Sequence, residues 1–160
     1  MTKAHPYSLH RWWQNFGFGI QSKTDFAFLH DVLRERSPYY VYDDMKWLFP
    51  LYKDREHKVA QLLFRVCYKH RKDRLQLVGT FNDLEQYAIT KALGHVPTYH
   101  RVFNKSGNVD LLIIKDIFQN NQNIWNDVIQ MDSITYDMVN LGIAFFDKKR
   151  YPEHYQILRP

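Results

Sequence analysis

A chain of 160 residues that is 45% hydrophobic and 16% aromatic, with only 6 Gly and 6 Pro, has the material for one domain with a packed core. That composition excludes a disordered or low-complexity chain, and the longest apolar runs, such as Leu111 to Ile114, fall far short of the roughly 20 residues of a membrane helix. The formal net charge is +5, concentrated at Lys53 to Lys58 and at Lys69-His70-Arg71-Lys72-Asp73-Arg74. With acids interspersed, these stretches read as a solvated helix face and its C-terminal turn; the alternative is an anionic partner such as nucleic acid.

In chain order, no apolar stretch precedes Arg11, so the start reads as carrying no signal peptide. Cys67 is the only cysteine; it forbids an intrachain disulfide and fits a cytoplasmic protein. Residues 1–20 read as aromatic and irregular, with Trp12, Trp13, Phe16 and Phe18 beside the helix breakers Gly17 and Gly19. Ser22 starts a helix with Phe26, Leu29 and Leu33 on one face, and Ser37-Pro38 stops it. Residues 41–49 form a short helix before Pro50. From Asp54 to Arg71, the apolar residues Val59, Leu62, Leu63, Val66 and Cys67 recur at helical spacing.

The second half, residues 75–160, alternates strands with helices. Leu75 to Val78 is a short apolar strand and Gly79-Thr80 its turn. Asn82 and Glu85 make a capping-box pattern for a helix that runs to Leu93, with Gly94 as its C-terminal cap. Residues 98–103 read as a strand, 105–108 as a turn and 109–114 as the most buried strand. A helix is expected over 121–131, then strands over 134–139, 143–146 and 154–158. The connection from Phe103 to Val109 is too short for a parallel crossover, so those two strands are either an antiparallel hairpin or not neighbours. The pattern is that of a sheet with helices packed on it, in a single domain spanning 1–160 with an N-terminal helical region over 1–74.

Gly17-Phe18-Gly19-Ile20-Gln21-Ser22, then Phe26-Ala27-Phe28, Val32-Leu33 and Pro38-Tyr39-Tyr40, resemble the N-terminal region of a bacterial family of class I S-adenosylmethionine-dependent methyltransferase-like proteins, whose pattern is similar to G-F-G-V-H-S-P followed by P-Y-Y-x-Y. Ala60 to Arg65 resembles the helix before that family's first strand. Ile113-Ile114-Lys115-Asp116-Ile117 is similar to its strand ending in D-D-I, and Trp125-Asn126-Asp127-Val128 to the helix after it. Ile134 to Met138, Gly142 to Phe146 and His154-Tyr155 resemble its closing strands. The departures are specific. The fold has about seven strands, and too few residues lie between Leu93 and Val109 for the usual middle. In the loop Gly79-Thr80-Phe81-Asn82-Asp83 the second glycine is missing. Residues 98–103 offer no carboxylate for a ribose, and the D-D pair has become Lys115-Asp116.

The resemblance therefore implies a shortened Rossmann-like, class I methyltransferase-like mixed sheet. It implies a degenerate member with no efficiently bound cofactor, kept as a binding or assembly module for an unknown protein or small-molecule partner. The rival implication is an active S-adenosylmethionine-dependent methyltransferase on an unknown acceptor. Gly79, Thr80 and Asp83 would then border the cofactor and Asp116 would lie nearest the acceptor. A Gly79→Val change would block binding while sparing the fold.

Other residues read blandly. Eight histidines, including the pairs His5/His10 and His95/His100, share no metal-site spacing with Cys or carboxylates, so no metal site is expected. Cys67 lies on an apolar stripe and reads as a buried, inert thiol. Arg11-Trp12-Trp13 with Phe16 and Phe18 reads as an N-terminal arm packed over the core or an oligomer contact, with stacking of bases or a ligand groove as the alternative. A sheet shortened in this way leaves an edge or face uncovered. The expectation is a homodimer, or cover by the chain's own N-terminal helices.

Overall fold

The computed structural model describes residues 9–17, 19–71 and 74–157, and the chain falls into two compact units. One gathers the described residues up to Ile20, from Arg74 to Thr80 and from Thr98 to Ile157; the other comprises Gln21–Arg71 and Phe81–Pro97.

The first unit is built on six short strands: β1 Leu75–Val78, β2 Tyr99–His100, β3 Leu111–Lys115, β4 Ile134–Asp137, β5 Leu141–Phe145 and β6 Glu153–Gln156. They form one mixed sheet in the order β2-β1-β3-β5-β4-β6, which with its helices makes the chain an α/β protein. β1 has parallel neighbours on both sides: Leu77 pairs with Tyr99 of β2 and with Ile113 of β3. The segments 98–103 and 109–114 are therefore not neighbours, which resolves the short connection between them. β5 runs antiparallel to β3 and to β4, and β6 is parallel to β4.

The sequence expectation of a six-residue strand over 98–103 is too long. Only Tyr99 and His100 find partners, because they alone lie level with Leu77 and Val78; Val102 is exposed and Phe103 turns into the core. The expected break at Asn140-Leu141-Gly142 is also too wide, since Leu141 and Gly142 already pair with Lys115 and Ile114.

Strand alternation puts Val78, Leu112, Ile114 and Ala144 on one sheet face. They pack with Phe103, Ile117, Trp125 and Val128 in a single apolar cluster. Trp125 and Val128 come from α6, Gln122–Ile129, two residues shorter at its C-terminal end than expected. Gly142 in β5 is what lets α6 lie this close: a Cβ there would stand 2.5 Å from Cζ3 of Trp125.

The expectation that residues 1–20 are irregular is corrected by α1, Leu9–Asn15. Gly17, at φ +86°, lies beyond the helix end rather than inside it. α1 meets β6 and the carboxyl end of β4 through polar side chains. The Gln156 N–H donates to Oε1 of Gln14 at 2.6 Å, and Nη1 of Arg11 donates to the Asp137 carbonyl at 3.0 Å. Phe18, residues 1–8, Lys72, Asp73 and residues 158–160 lie outside the described residues.

In the second unit, the helix begun at Ser22 is not one uniform helix. α2, Lys23–Phe28, passes into a π-helical turn over Leu29–Leu33, closed by the Arg34 N–H donating to the Leu29 carbonyl at 2.9 Å. A π-turn leaves carbonyls to be satisfied from outside, and α4, Asp54–Lys69, does this. Buried Arg65 donates from Nε to the Val32 carbonyl at 2.7 Å and from Nη2 to Leu33 at 3.3 Å, while Lys69 reaches the Asp31 carbonyl.

α3, Tyr40–Leu48, buries Met45. α5, Asp83–Leu93, packs on α4. Its predicted capping box is present, with the Glu85 N–H on Oδ1 of Asn82 and the Asn82 N–H on Oε2 of Glu85, both 2.9 Å. Such a cap contributes about 1 kcal/mol. Gly94 caps the other end at φ +80°, the left-handed conformation that favours glycine. No described helix is long and apolar enough to cross a membrane.

Candidate functional site

The sheet places the candidate residues by simple geometry. Parallel β1 and β3 end side by side, so the turns that leave them meet at their carboxyl ends, where open α/β sheets present ligand-binding groups. Gly79 comes directly after β1, with its N–H donating to the His100 carbonyl at 3.0 Å and φ at +110°. A Cβ on Gly79 would lie 3.2 Å from both Cβ and the carbonyl oxygen of Lys115 and 3.3 Å from Nδ2 of Asn121. That amide is held in place by donating to the same Lys115 carbonyl at 2.7 Å. The glycine thus allows a close approach, and the group that approaches is the chain's own β3–α6 turn.

Asp116 takes a left-handed backbone, φ +57°, which is uncommon outside glycine. Its carbonyl accepts the N–H groups of Gln119, Asn120 and Asn121, closing the turn into α6. Its N–H donates to the Asn140 carbonyl at 2.8 Å, and Nδ2 of Asn140 donates to its carboxylate at 3.1 Å. Asn140 belongs to the β4–β5 turn, where Val139 stands at φ +70° between the Asn140 N–H and the Met138 carbonyl, 2.8 Å apart. That is a γ-turn with a β-branched residue at its centre, a strained arrangement. Asp116 therefore acts as a turn-former whose carboxylate already has a donor.

Of the four sequence candidates, Gly79, Thr80 and Asp116 lie in the first unit and Asp83 opens α5 in the second. Gly79 meets the β3–α6 turn that contains Asp116; Thr80 and Asp83 are exposed. The geometry argues against the expectation that Gly79→Val is structurally neutral. Both the positive φ and the 3.2 Å approach to Lys115 make any side chain there a structural perturbation.

The residues that sequence reading missed are Asn121 and Asn140, which tie the turns together, and the Arg11–Asp137 pair beside them. Each is a polar residue whose partner is distant in sequence, and nothing local marks it.

Three described cations of the stretch 69–74 contact the protein itself. Lys69 pairs with Glu35 at 2.9 Å, and the Arg71 guanidinium lies 4.8 Å from the Tyr68 ring centroid. Arg74 grips Asp110 through bonds of 2.9 and 2.6 Å. Burial pushes the Cys67 thiol up to about 12, as expected of an inert core cysteine. Among the described residues no group of three His, Cys, Asp or Glu is placed to hold a metal. Comparison with protein-family models, with curated proteins and with solved structures gives no match.

Proposed function

We propose that the chain is a shortened Rossmann-like relative of the class I methyltransferases that no longer binds S-adenosylmethionine efficiently and serves as a binding or assembly module. One observation carries this reading. In the resembled loop, glycine lets backbone come close to the cofactor, whereas here Lys115 and the anchored Asn121 amide of the same chain occupy the space beside Gly79. Five strands sharing one direction support the Rossmann-like part, and the donor already on the Asp116 carboxylate supports the loss of activity. Nucleic acid is not adopted as the partner, because Lys69, Arg71 and Arg74 each already contact an acid or an aromatic ring of the chain itself.

Titration calorimetry with S-adenosylmethionine and S-adenosylhomocysteine tests the reading. The expected outcome is no saturable heat. A micromolar dissociation constant, about −8 kcal/mol, would overturn it in favour of an active methyltransferase.

A further inference from the structure

We propose that the solvent face of α3 is a docking surface for a cationic amphipathic segment of another protein, with a Lys or Arg side chain seated over Asp43 and Asp44 between Tyr40 and Trp47. The inference goes beyond the loss of cofactor binding and does not depend on it.

The sequence of α3 divides by side, with exposed Lys46 flanking the outer face. Met45 is fully buried, and Val41 and Tyr42, on the same side, are half-buried. The opposite side carries Tyr40, 96% exposed, and Trp47, 80% exposed. They stand two helical turns apart, roughly 10 Å along the axis. Asp43 and Asp44 occupy the turns between them, both exposed. Past Trp47 the apolar surface continues through Leu48 and through Leu51, which is 95% exposed.

Among the described residues neither aromatic ring meets another ring, and neither carboxylate has a cation partner. An acid in the first turn suits the helix dipole, which accounts for Asp43. It does not account for two nearly naked aromatic side chains of the types that dominate binding hot spots.

Charge selects the occupant. Asp43 and Asp44 against the single cation Lys46 leave the outer side of α3 net negative, which disfavours nucleic acid and anionic lipid surfaces. A second copy meeting the same face about a twofold axis would bring four carboxylates together. A guanidinium or ammonium fits instead: it can pair with Asp43 or Asp44 while lying against the Tyr40 or Trp47 ring. Apolar side chains one turn further along the same segment would reach Leu48 and Leu51, as in helix-to-surface recognition by spaced anchors.

The test uses the full chain and a fluorescent helical peptide patterned with Arg and Leu. A Glu/Leu peptide and an Arg/Ser peptide serve as controls. Fluorescence polarisation should show saturable binding of the Arg/Leu peptide that weakens with added salt. Asp43→Asn with Asp44→Asn should weaken it about tenfold, and Trp47→Ala should do the same. These side chains are exposed, so the variants should stay folded by circular dichroism, with only a small fall in melting temperature where Asp43 leaves the first turn. The proposal is overturned if the Arg/Leu peptide does not bind, if Glu/Leu binds equally, or if the variants bind like the parent. It is also overturned if neutral phosphatidylcholine vesicles bind where the peptide does not, which would assign the face to a membrane surface.

Discussion

The guanidinium of Arg11 holds the carboxylate of Asp137 by two hydrogen bonds of 2.9 Å, across 126 residues of sequence and with Arg11 only 1% exposed. The same guanidinium lies 5.8 Å from the Phe118 ring centroid. This fork joins α1 to the carboxyl end of β4, while Gln14 takes the Gln156 N–H of β6. Removing one member of a buried pair strands the other, at a cost of about 3–5 kcal/mol. Arg11→Ala should therefore lower unfolding stability by about that amount in urea. It should also loosen α1 from β6, an edge strand whose freed groups invite pairing. Light scattering should show more self-association for Arg11→Ala than for the parent at equal concentration. Unchanged stability would mean the fork is dispensable.

A second prediction concerns Gly142. With Cζ3 of Trp125 2.5 Å from where a Cβ would be, Gly142→Ala should displace α6 from the sheet and cost about 1–3 kcal/mol. Replacing Trp125 by Leu in the same chain should remove the clash and recover part of the loss. Additive losses in the double variant would show that the two positions do not communicate.

How much of the fold was legible in the sequence depended on how local each cause is. The Asn82–Glu85 box and the Gly94 cap were readable because both partners lie within one turn of helix. β1 and β3 were readable because their apolar runs need no partner to be recognised. α1 was not: the side it buries carries Arg11, so its outward residues Leu9, Trp12 and Trp13 suggest the wrong face. The π-turn was hidden because its carbonyls are satisfied by Arg65 and Lys69, more than thirty residues on. At the candidate site, Gly79 and Asp116 announced a turn and a strand end. The Asn121 amide that fills the space between their strands could be found only once β1 and β3 were known to be neighbours.

The Glu35 carboxyl supplies a pH prediction. Burial works to raise its pKa, but the Lys69 ammonium at 2.9 Å, helped by the Tyr39 hydroxyl, outweighs burial and holds it below its ordinary value of 4.5. A carboxyl lowered in the folded state favours folding above its unfolded pKa, and that contribution disappears as pH falls through the folded one. The urea midpoint should thus fall on acidification below about pH 4.5, and Glu35→Gln should make that limb shallower. A limb of equal slope in the variant would show that other carboxylates set the acid response.

The last prediction tests whether Gly79 is kept for close packing within the chain. Gly79 has φ +110° and lies beside Lys115 and Asn121, so Gly79→Ala combines backbone strain with a forced shift of the β3–α6 turn. Strain of this kind costs on the order of 1–3 kcal/mol, and Gly79→Val should cost more because its branched side chain adds bulk at the same approach. Asn121→Ala removes one of the facing groups but also the hydrogen bond to the Lys115 carbonyl, so it should destabilise on its own by about 1 kcal/mol. If close packing within the chain is the glycine's role, Gly79→Ala should be less damaging in the Asn121→Ala background than in the parent, and the two losses should fall short of additive in urea unfolding. If Gly79 and Asn121 do not pack against each other, the two losses should simply add, and the glycine's tight approach to Asn121 would not be what the position is kept for.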